Sequence, residues 1–356
     1  MNNYWSELVN SLQPYVPGEQ PQDQQYIKLN TNENPYPPSP KVLRQVQASV
    51  NESLRLYPDP QALTLRRSIA SAFGMGTNNV FVGNGSDEVL AFAFMAFFTG
   101  KPAIQFPEIS YSFYPVYCNL FGIEAKKIAL NDDFSIDLAD YADDSGGIIF
   151  PNPNAPTGRL IALGDIESLL KRNTASVVVV DEAYIDFGGE SAASLVGLYP
   201  NLLVIQTFSK SRSLAGMRVG YALGDVGLIE ALERVKDSFN SYPLDRLAQV
   251  AATEAMQDAI YFNNIRRKII ETRERTAKGL QGLGFEVVPS QANFVFARHP
   301  RFSGEALYRS LKAAGILVRH FNKPGIEQYL RVSIGTDDEM ETLLERLPAA
   351  MQAAGA

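Results

Sequence analysis

The chain has 356 residues, 46% hydrophobic and 20% charged, with a formal net charge of −7. It is long for one core, and it carries no basic excess that would draw it to nucleic acid or an anionic membrane. A single cysteine, Cys118, excludes an internal disulfide, and two histidines, His299 and His320, leave little for a histidine-rich metal site or a histidine-based triad.

Met1–Gly18 lacks a basic start followed by an apolar run, so no secretory leader is expected and the protein reads as cytoplasmic. Tyr4–Leu12 predicts a short helix. Prolines from Pro14 to Pro40 then punctuate an extended arm that contains Lys28-Leu29-Asn30-Thr31-Asn32-Glu33-Asn34-Pro35, a strap dense in hydrogen-bonding side chains. Helices are predicted over Lys41–Ser53 and Ala62–Phe73, the second ended by Gly74 and Gly76, with the proline-fixed turn Leu56-Tyr57-Pro58-Asp59-Pro60 between them.

From Val80 the pattern becomes short apolar runs alternating with helices. Val80–Val82 leads into Gly83-Asn84-Gly85-Ser86-Asp87 and an apolar helix from Glu88; its stretch Val89–Phe98 is far shorter than the ~20 residues of a membrane span. Ala103–Phe106 leads into Ser110-Tyr111, and Gly147–Phe150 into Pro151-Asn152-Pro153-Asn154-Ala155-Pro156-Thr157-Gly158. Val177–Val180 leads into Asp181-Glu182-Ala183-Tyr184, Leu202–Ile205 into Thr207-Phe208-Ser209-Lys210, and Val219–Ala222 is one more strand. Such runs predict a mainly parallel sheet covered on both faces, and in such sheets ligands bind beyond the carboxyl ends of the strands.

After Phe239 the chain is helix-rich to Leu283, with Arg266, Arg267, Lys268, Arg273 and Arg275 read as a solvated face. Strands at Phe285–Val288, Asn293–Phe296, Ile316–Val318 and Tyr329–Ser333, a helix at Ser303–Ala314 and a last helix capped by Asp337 make an α+β lobe. The expected division is a large domain over 41–240, with 1–40 and 241–356 forming the arm and small domain.

The polar residues at the strand ends match what pyridoxal phosphate requires. An amine for its aldehyde is available at Lys210, and a carboxylate for its ring nitrogen at Asp181. Gly85 and Ser86 at a helix start, with Thr207, Ser209 and Arg218, suit its phosphate. Tyr111 can stack on the ring, while Tyr184 and Asn154 can donate to the phenolic oxygen.

The order Gly-Ser-Asp, Ser-Tyr-Ser-Phe-Tyr, Asn-Pro-Asn-x-Pro-Thr-Gly, Asp-Glu-Ala-Tyr, then Ser-Lys followed by Arg218 resembles the fold type I aminotransferases. Leu29–Pro35, Leu56–Asp59 and Leu330–Gly335 resemble, more narrowly, the histidinol-phosphate aminotransferases, and the likeness runs from Tyr15 to the last helix. It implies an α/β pyridoxal-phosphate fold with a seven-stranded, mainly parallel sheet between helices and a smaller α+β domain. It also implies transfer of an amino group from histidinol phosphate to 2-oxoglutarate through a Schiff base on Lys210. Lys210, Asp181 and Tyr184 would be catalytic, and Tyr57 would reach the cofactor phosphate of the neighbouring subunit in a homodimer. Arg331 would bind the glutamate carboxylate, Arg319 with Tyr15 the substrate phosphate, and Asn32 would help to select the amine. Ala155 departs from the family's asparagine before Pro-Thr-Gly, which puts the Asn154 contact in doubt.

The same residues allow aromatic amino donors, or decarboxylation of threonine phosphate. From other classes, a nucleotide-binding protein reading of Gly83-x-Gly85 fails because position 88 is Glu and no Gly-Lys-Ser/Thr follows. A non-catalytic scaffold of this fold would have no reason to keep Lys210 with Asp181.

Overall fold

The computed structural model describes residues 4–355; Met1, where the sequence was read for a leader, lies outside them. A helix of one turn, α1 (Glu7–Ser11), is capped by Ser6 and is shorter than the predicted Tyr4–Leu12. The arm then supplies a two-residue strand, β1 (Ile27–Lys28). Helix α2 (Pro40–Ser49) begins with Ser39 as its cap and proline in its first turn, and gives way to a 3-10 turn at Glu52–Arg55 before the predicted end. Helix α3 (Leu63–Phe73) stops at Gly74, whose φ of +66° suits a glycine cap.

The next stretch builds the large sheet. Its elements in chain order are β2 (Val80–Asn84), α4 (Gly85–Phe97), β3 (Ile104–Pro107), α5 (Tyr114–Phe121), β4 (Ala125–Ile128) and β5 (Ile148–Pro151). They continue with α6 (Leu163–Arg172), β6 (Val178–Asp181), β7 (Leu202–Thr207), β8 (Val219–Gly224) and α7 (Val226–Phe239). The seven strands lie in the order β2-β8-β7-β6-β5-β3-β4, and only β8 runs against its neighbours. Alternation along the strands divides the core in two. Val178, Val180, Leu202 and Val204 pack on one face, and Val179, Leu203 and Ile205 on the other. Both faces are covered, which is why these strands read as unbroken apolar runs. Strand β4 was not among the predicted ones: as an edge strand it carries exposed Lys126 and Lys127, which hide its pattern.

The remaining elements are α8 (Arg246–Gln257), α9 (Ala259–Gly282), β9 (Glu286–Val288), β10 (Phe294–Arg298), α10 (Gly304–Ala313), β11 (Ile316–Leu317), β12 (Arg319–His320), β13 (Tyr329–Ser333) and α11 (Asp337–Ala354). Strands β12-β13-β10-β9 form an antiparallel sheet, and β1 from the arm pairs with β11. The arm therefore belongs to the small lobe. Helix α8 does not: its Ala248, Ala251 and Ala252 join the core beneath the large sheet, so a division at 240 cuts through that core.

The last helix is capped by Thr336, in a reciprocal box with Glu339, not by Asp337. Arg273 is buried rather than solvated, its guanidinium donating to the carbonyls of Phe187 and Ala292. No helix among the described residues is long and apolar enough to cross a membrane.

Candidate active site

A cavity of about 470 Å³ lies where the carboxyl ends of the parallel strands meet the small lobe. Pro151, Asp181 and Thr207, the last residues of β5, β6 and β7, line one side. The strap residues Asn30–Glu33, arm residues Tyr15, Pro17 and Gly18, and Arg319 and Arg331 from β12 and β13 line the other.

Asp181 is 4% exposed and has no cationic partner among the described residues. The Tyr114 hydroxyl donates to its Oδ2 at 2.9 Å and the Ala183 N–H to its Oδ1 at 3.2 Å. Burial outweighs those two bonds and pushes the carboxyl up to about 6. Lys210 follows β7 and projects its amine to the carbonyl of Thr31, at 3.0 Å, with the Tyr184 ring centroid 5.9 Å away. Its backbone is held from above, because the Asn34 amide donates to the carbonyls of Lys210 and Ser211. Ser211 in turn donates to Asp186.

At the other end of the cavity, Ser86 and Asp87 open α4, where the first N–H groups have no intrahelical partner. Arg218 pairs with Asp87 through Nη2 at 2.9 Å, and its Nη1 lies 3.4 Å from Ser209 Oγ. Tyr111 fixes the same carboxylate by donating to Asp87 Oδ1 at 2.7 Å. Gly85 has φ +80°, and a Cβ there would stand 2.5 Å from Arg218 Nη2. Glycine at 85 thus lets the guanidinium lie against the helix start.

On the small-lobe side, Arg331 donates to the Asn30 carbonyl at 3.0 Å, and its buried Nε has no hydrogen-bond partner among the described residues. Its guanidinium stands over the rings of Phe294 and Phe321, and desolvation, with Arg319 nearby, pulls its pKa down. Arg319 donates to the carbonyls of Val16 and Pro17, each at 3.4 Å, and stands over the Phe321 ring at 5.6 Å. Neither arginine has a carboxylate partner among the described residues. Tyr15 packs its ring on Phe113, 4.9 Å between centroids.

The family model for aminotransferase class I and II matches residues 24–347. The chain belongs to the class I and II aminotransferases. It is 60% identical to histidinol-phosphate aminotransferase 1 of Hydrogenovibrio crunogenus, over 98% of each chain. It is equally 60% identical to histidinol-phosphate aminotransferase 1 of Methylococcus capsulatus, over 98% of this chain and 97% of that one. Among solved structures, it superposes on a histidinol-phosphate aminotransferase from Sinorhizobium meliloti, crystallised with pyridoxal-5′-phosphate. There the TM-score is 0.90 at 23% identity, covering 99% of this chain and 98% of that one, and this likeness carries the fold.

In this aminotransferase the donor set fits pyridoxal phosphate. Among the described residues, the buried carboxylate of Asp181 has no cation and so suits a protonated ring nitrogen, the Lys210 amine has no carboxylate partner, and hydroxyls and an arginine gather at a helix start. Of the residues read from sequence, Tyr15, Asn32, Ser86, Tyr111, Asp181, Tyr184, Thr207, Ser209, Lys210, Arg218, Arg319 and Arg331 line the cavity. Three do not. Gly85 acts through the room it leaves, and Tyr57 is exposed, stacked on Tyr242 at 4.7 Å. Asn154 is turned away from the wall, its amide donating to the Ile109 carbonyl and Thr157 Oγ1; Ala155 and Pro156 form the wall instead. Asn32, read as a substrate contact, has its polar atoms engaged by Tyr184, Ser333 and Asn293.

Asp87, Tyr114, Thr31 and Asn34 were not singled out. One signal could have found two of them: Tyr111, Tyr114 and Tyr117 recur every third residue, and their hydroxyls reach Asp87, Asp181 and the Asp87 carbonyl.

Proposed function

We propose that this aminotransferase uses pyridoxal phosphate to convert histidinol phosphate and 2-oxoglutarate to imidazole acetol phosphate and glutamate. One observation carries this reading. Lys210 and buried Asp181 share a cavity with two arginines, Arg319 and Arg331, that no carboxylate among the described residues neutralises, which suits a substrate that brings its own negative charge. The name of the relatives at 60% identity narrows that anion to histidinol phosphate in one half-reaction.

When bound, the cofactor supplies an electron sink for the carbanion formed at the substrate carbon. The rest falls to the chain. Asp181 holds the ring nitrogen in its protonated form, which its own desolvation favours, since a cation there restores the carboxylate's charge. Lys210 would hold the aldehyde until the substrate amine displaces it, and its freed Nζ would then take up the proton from the reacting carbon and return it. Ser86, Thr207, Ser209 and Arg218 hold the phosphate, with Tyr57 of a neighbouring subunit completing the cradle in a homodimer. Tyr111 flanks the ring and Tyr184 donates to the phenolic oxygen. Arg331 takes the carboxylate of glutamate, and Arg319 with Tyr15 takes the phosphate of the amine. We take the large domain to run to the end of α8, over 41–257, with the arm and 258–356 as the small domain, and the enzyme to act in the cytoplasm.

Purified protein given pyridoxal phosphate is expected to show a visible absorbance band that Lys210→Ala loses. A protein that stays colourless would remove the cofactor reading altogether. In a panel of amino donors, histidinol phosphate should exceed aromatic amino acids in kcat/KM; equal use of both would defeat the narrower assignment. Mixing Tyr57→Phe and Lys210→Ala subunits should restore part of the activity, and demonstrated exchange without rescue would rule against a shared site.

A further inference from the structure

Asn32 borders the cavity yet is 1% exposed, stands at φ +57°, and turns its side-chain amide to Tyr184. Asparagine tolerates this left-handed backbone better than most residues. Its backbone N–H donates to Ser333 Oγ at 2.9 Å, and its carbonyl accepts from the Asn293 amide at 3.0 Å. The Ser333 hydroxyl, with no other acceptor among the described residues, donates back to Asn32 Oδ1 at 2.8 Å. This orientation of the amide pairs the Ser333 proton, which the reversed one would leave without an acceptor, and it puts Nδ2 at the end that meets the Tyr184 hydroxyl at 3.0 Å.

An amide nitrogen can only donate. The Tyr184 oxygen therefore accepts from Asn32, and its own proton has no protein acceptor among the described residues while the ring lines the cavity. Ala155, also on the wall, offers no side-chain donor, and the neighbouring Asn154 amide is spent on Ile109 and Thr157. Tyr184 is left as the side chain from this side of the cavity that can donate to a phenolic oxygen.

We infer that Asn32 is a positioning residue that commits Tyr184 to donate its proton into the cavity, toward the cofactor's phenolic oxygen. The inference rests on the pyridoxal phosphate reading above. A donor at that oxygen draws off negative charge that otherwise holds the proton on Lys210 Nζ, so it lowers the pH at which the bound cofactor's visible band titrates. Ser333, which aims Asn32, lies on β13 two residues from Arg331, so the same strand orients the tyrosine and carries the anion-binding arginine.

The test is the pH titration of that band, together with cofactor retention on dialysis. Asn32→Asp keeps the shape and the tolerance of positive φ but turns the donor into an acceptor that captures the Tyr184 proton. It should raise the titration midpoint by about one unit and loosen the cofactor about tenfold. Asn32→Gly, which spares the backbone, should move both in the same direction by less, and Ser333→Ala by less again. In a Tyr184→Phe background the Asn32 substitutions should add nothing, which separates action through the tyrosine from a general loosening of the strap. A midpoint unmoved in both Asn32 variants overturns the inference, as does a shift that persists undiminished in Tyr184→Phe. If the Asn32→Asp protein does not fold, Asn32→Gly decides alone. A wild-type protein without a band overturns the proposed function and this inference with it, whereas a wild-type band that ignores Asn32 overturns only the inference.

Discussion

Asp181 and Glu182 are consecutive, both buried and both pushed upward in pKa, yet they face opposite sides of the large sheet and meet opposite fates. Glu182 is enclosed. Ser191 and Gln206 donate to its Oε2 and the Ala192 N–H to its Oε1, and Tyr221 in turn donates to Gln206. Among the described residues Asp181 receives only the Tyr114 hydroxyl and the Ala183 N–H, and it borders the cavity. Burial holds Glu182 at about 7 and Asp181 at about 6, so the size of the shift does not say which one works. What distinguishes them is completion: one carboxyl has its partners in the chain, and the other is left to find one in the cavity.

The largest way to break this contrast is to exchange each group for a neutral one. Asp181→Asn is expected to cut kcat/KM by about 10²–10⁴-fold while leaving the fold intact, because the ring nitrogen loses the anion that keeps it protonated. Steady-state kinetics beside circular dichroism would check both halves; near-normal turnover would strip Asp181 of its role. Glu182→Ala should do the reverse. It leaves Ser191, Ala192 and Gln206 donors unpaired in the interior and costs about 2–4 kcal/mol in denaturant unfolding, with kcat per folded protein changed only a few-fold.

A pH series sharpens the comparison without any mutation. Both carboxyls titrate higher folded than unfolded, so between about pH 4 and the folded values the native state binds more protons and stability falls as pH rises. For Asp181 the penalty amounts to about 1–3 kcal/mol by pH 7. In the cofactor-free protein, Asp181→Asn should recover that amount above pH 6 and flatten the slope. Pyridoxal phosphate should lift the penalty at Asp181 and leave that of Glu182 in place. The stabilisation it gives therefore grows as pH rises from about 4 to about 6 and levels off above, measured as the difference in Tm between loaded and cofactor-free protein. A difference independent of pH would mean that the ring nitrogen does not meet Asp181.

How far the sequence disclosed this arrangement follows the same division. Val177–Val180 ending in an acid, and Leu202–Ile205 ending in hydroxyls and Lys210, were legible because strand burial makes an apolar run and a polar residue at its end stands out. The class of fold followed from that, and so did Asp181, Thr207, Ser209 and Lys210 in the cavity wall. The partners were hidden, since Tyr114 reads as one more core aromatic and Asn34 as one more polar residue in a strap. Asp87 reads as a first-turn acid complementing a helix, yet it holds both Tyr111 and Arg218. Asn154 was misplaced because spacing alone does not tell which way an amide faces in the Asn152–Pro156 segment. Contacts between residues far apart in the chain, such as Asn32 with Ser333, leave no local pattern to read.

The finest test concerns Tyr114, the residue that sets how incomplete Asp181 is. Its hydroxyl lies 2.9 Å from Asp181 Oδ2, wholly buried, and it is the only side-chain donor the carboxylate has among the described residues. Tyr114→Phe removes that oxygen and leaves the ring packed on Phe94 and Phe106. The ionised carboxylate loses a bond worth about 1 kcal/mol, so in the cofactor-free protein its pKa should climb by about one further unit above 6. In the loaded enzyme the ring nitrogen supplies the missing charge, and kcat should fall only a few-fold. Titration of Asp181 followed by carboxyl-carbon NMR would read the first effect and steady-state rates the second. If Tyr114→Phe left the Asp181 titration where it is, the tyrosine would be packing alone, and the carboxylate's readiness for the cofactor would rest on burial and the Ala183 N–H.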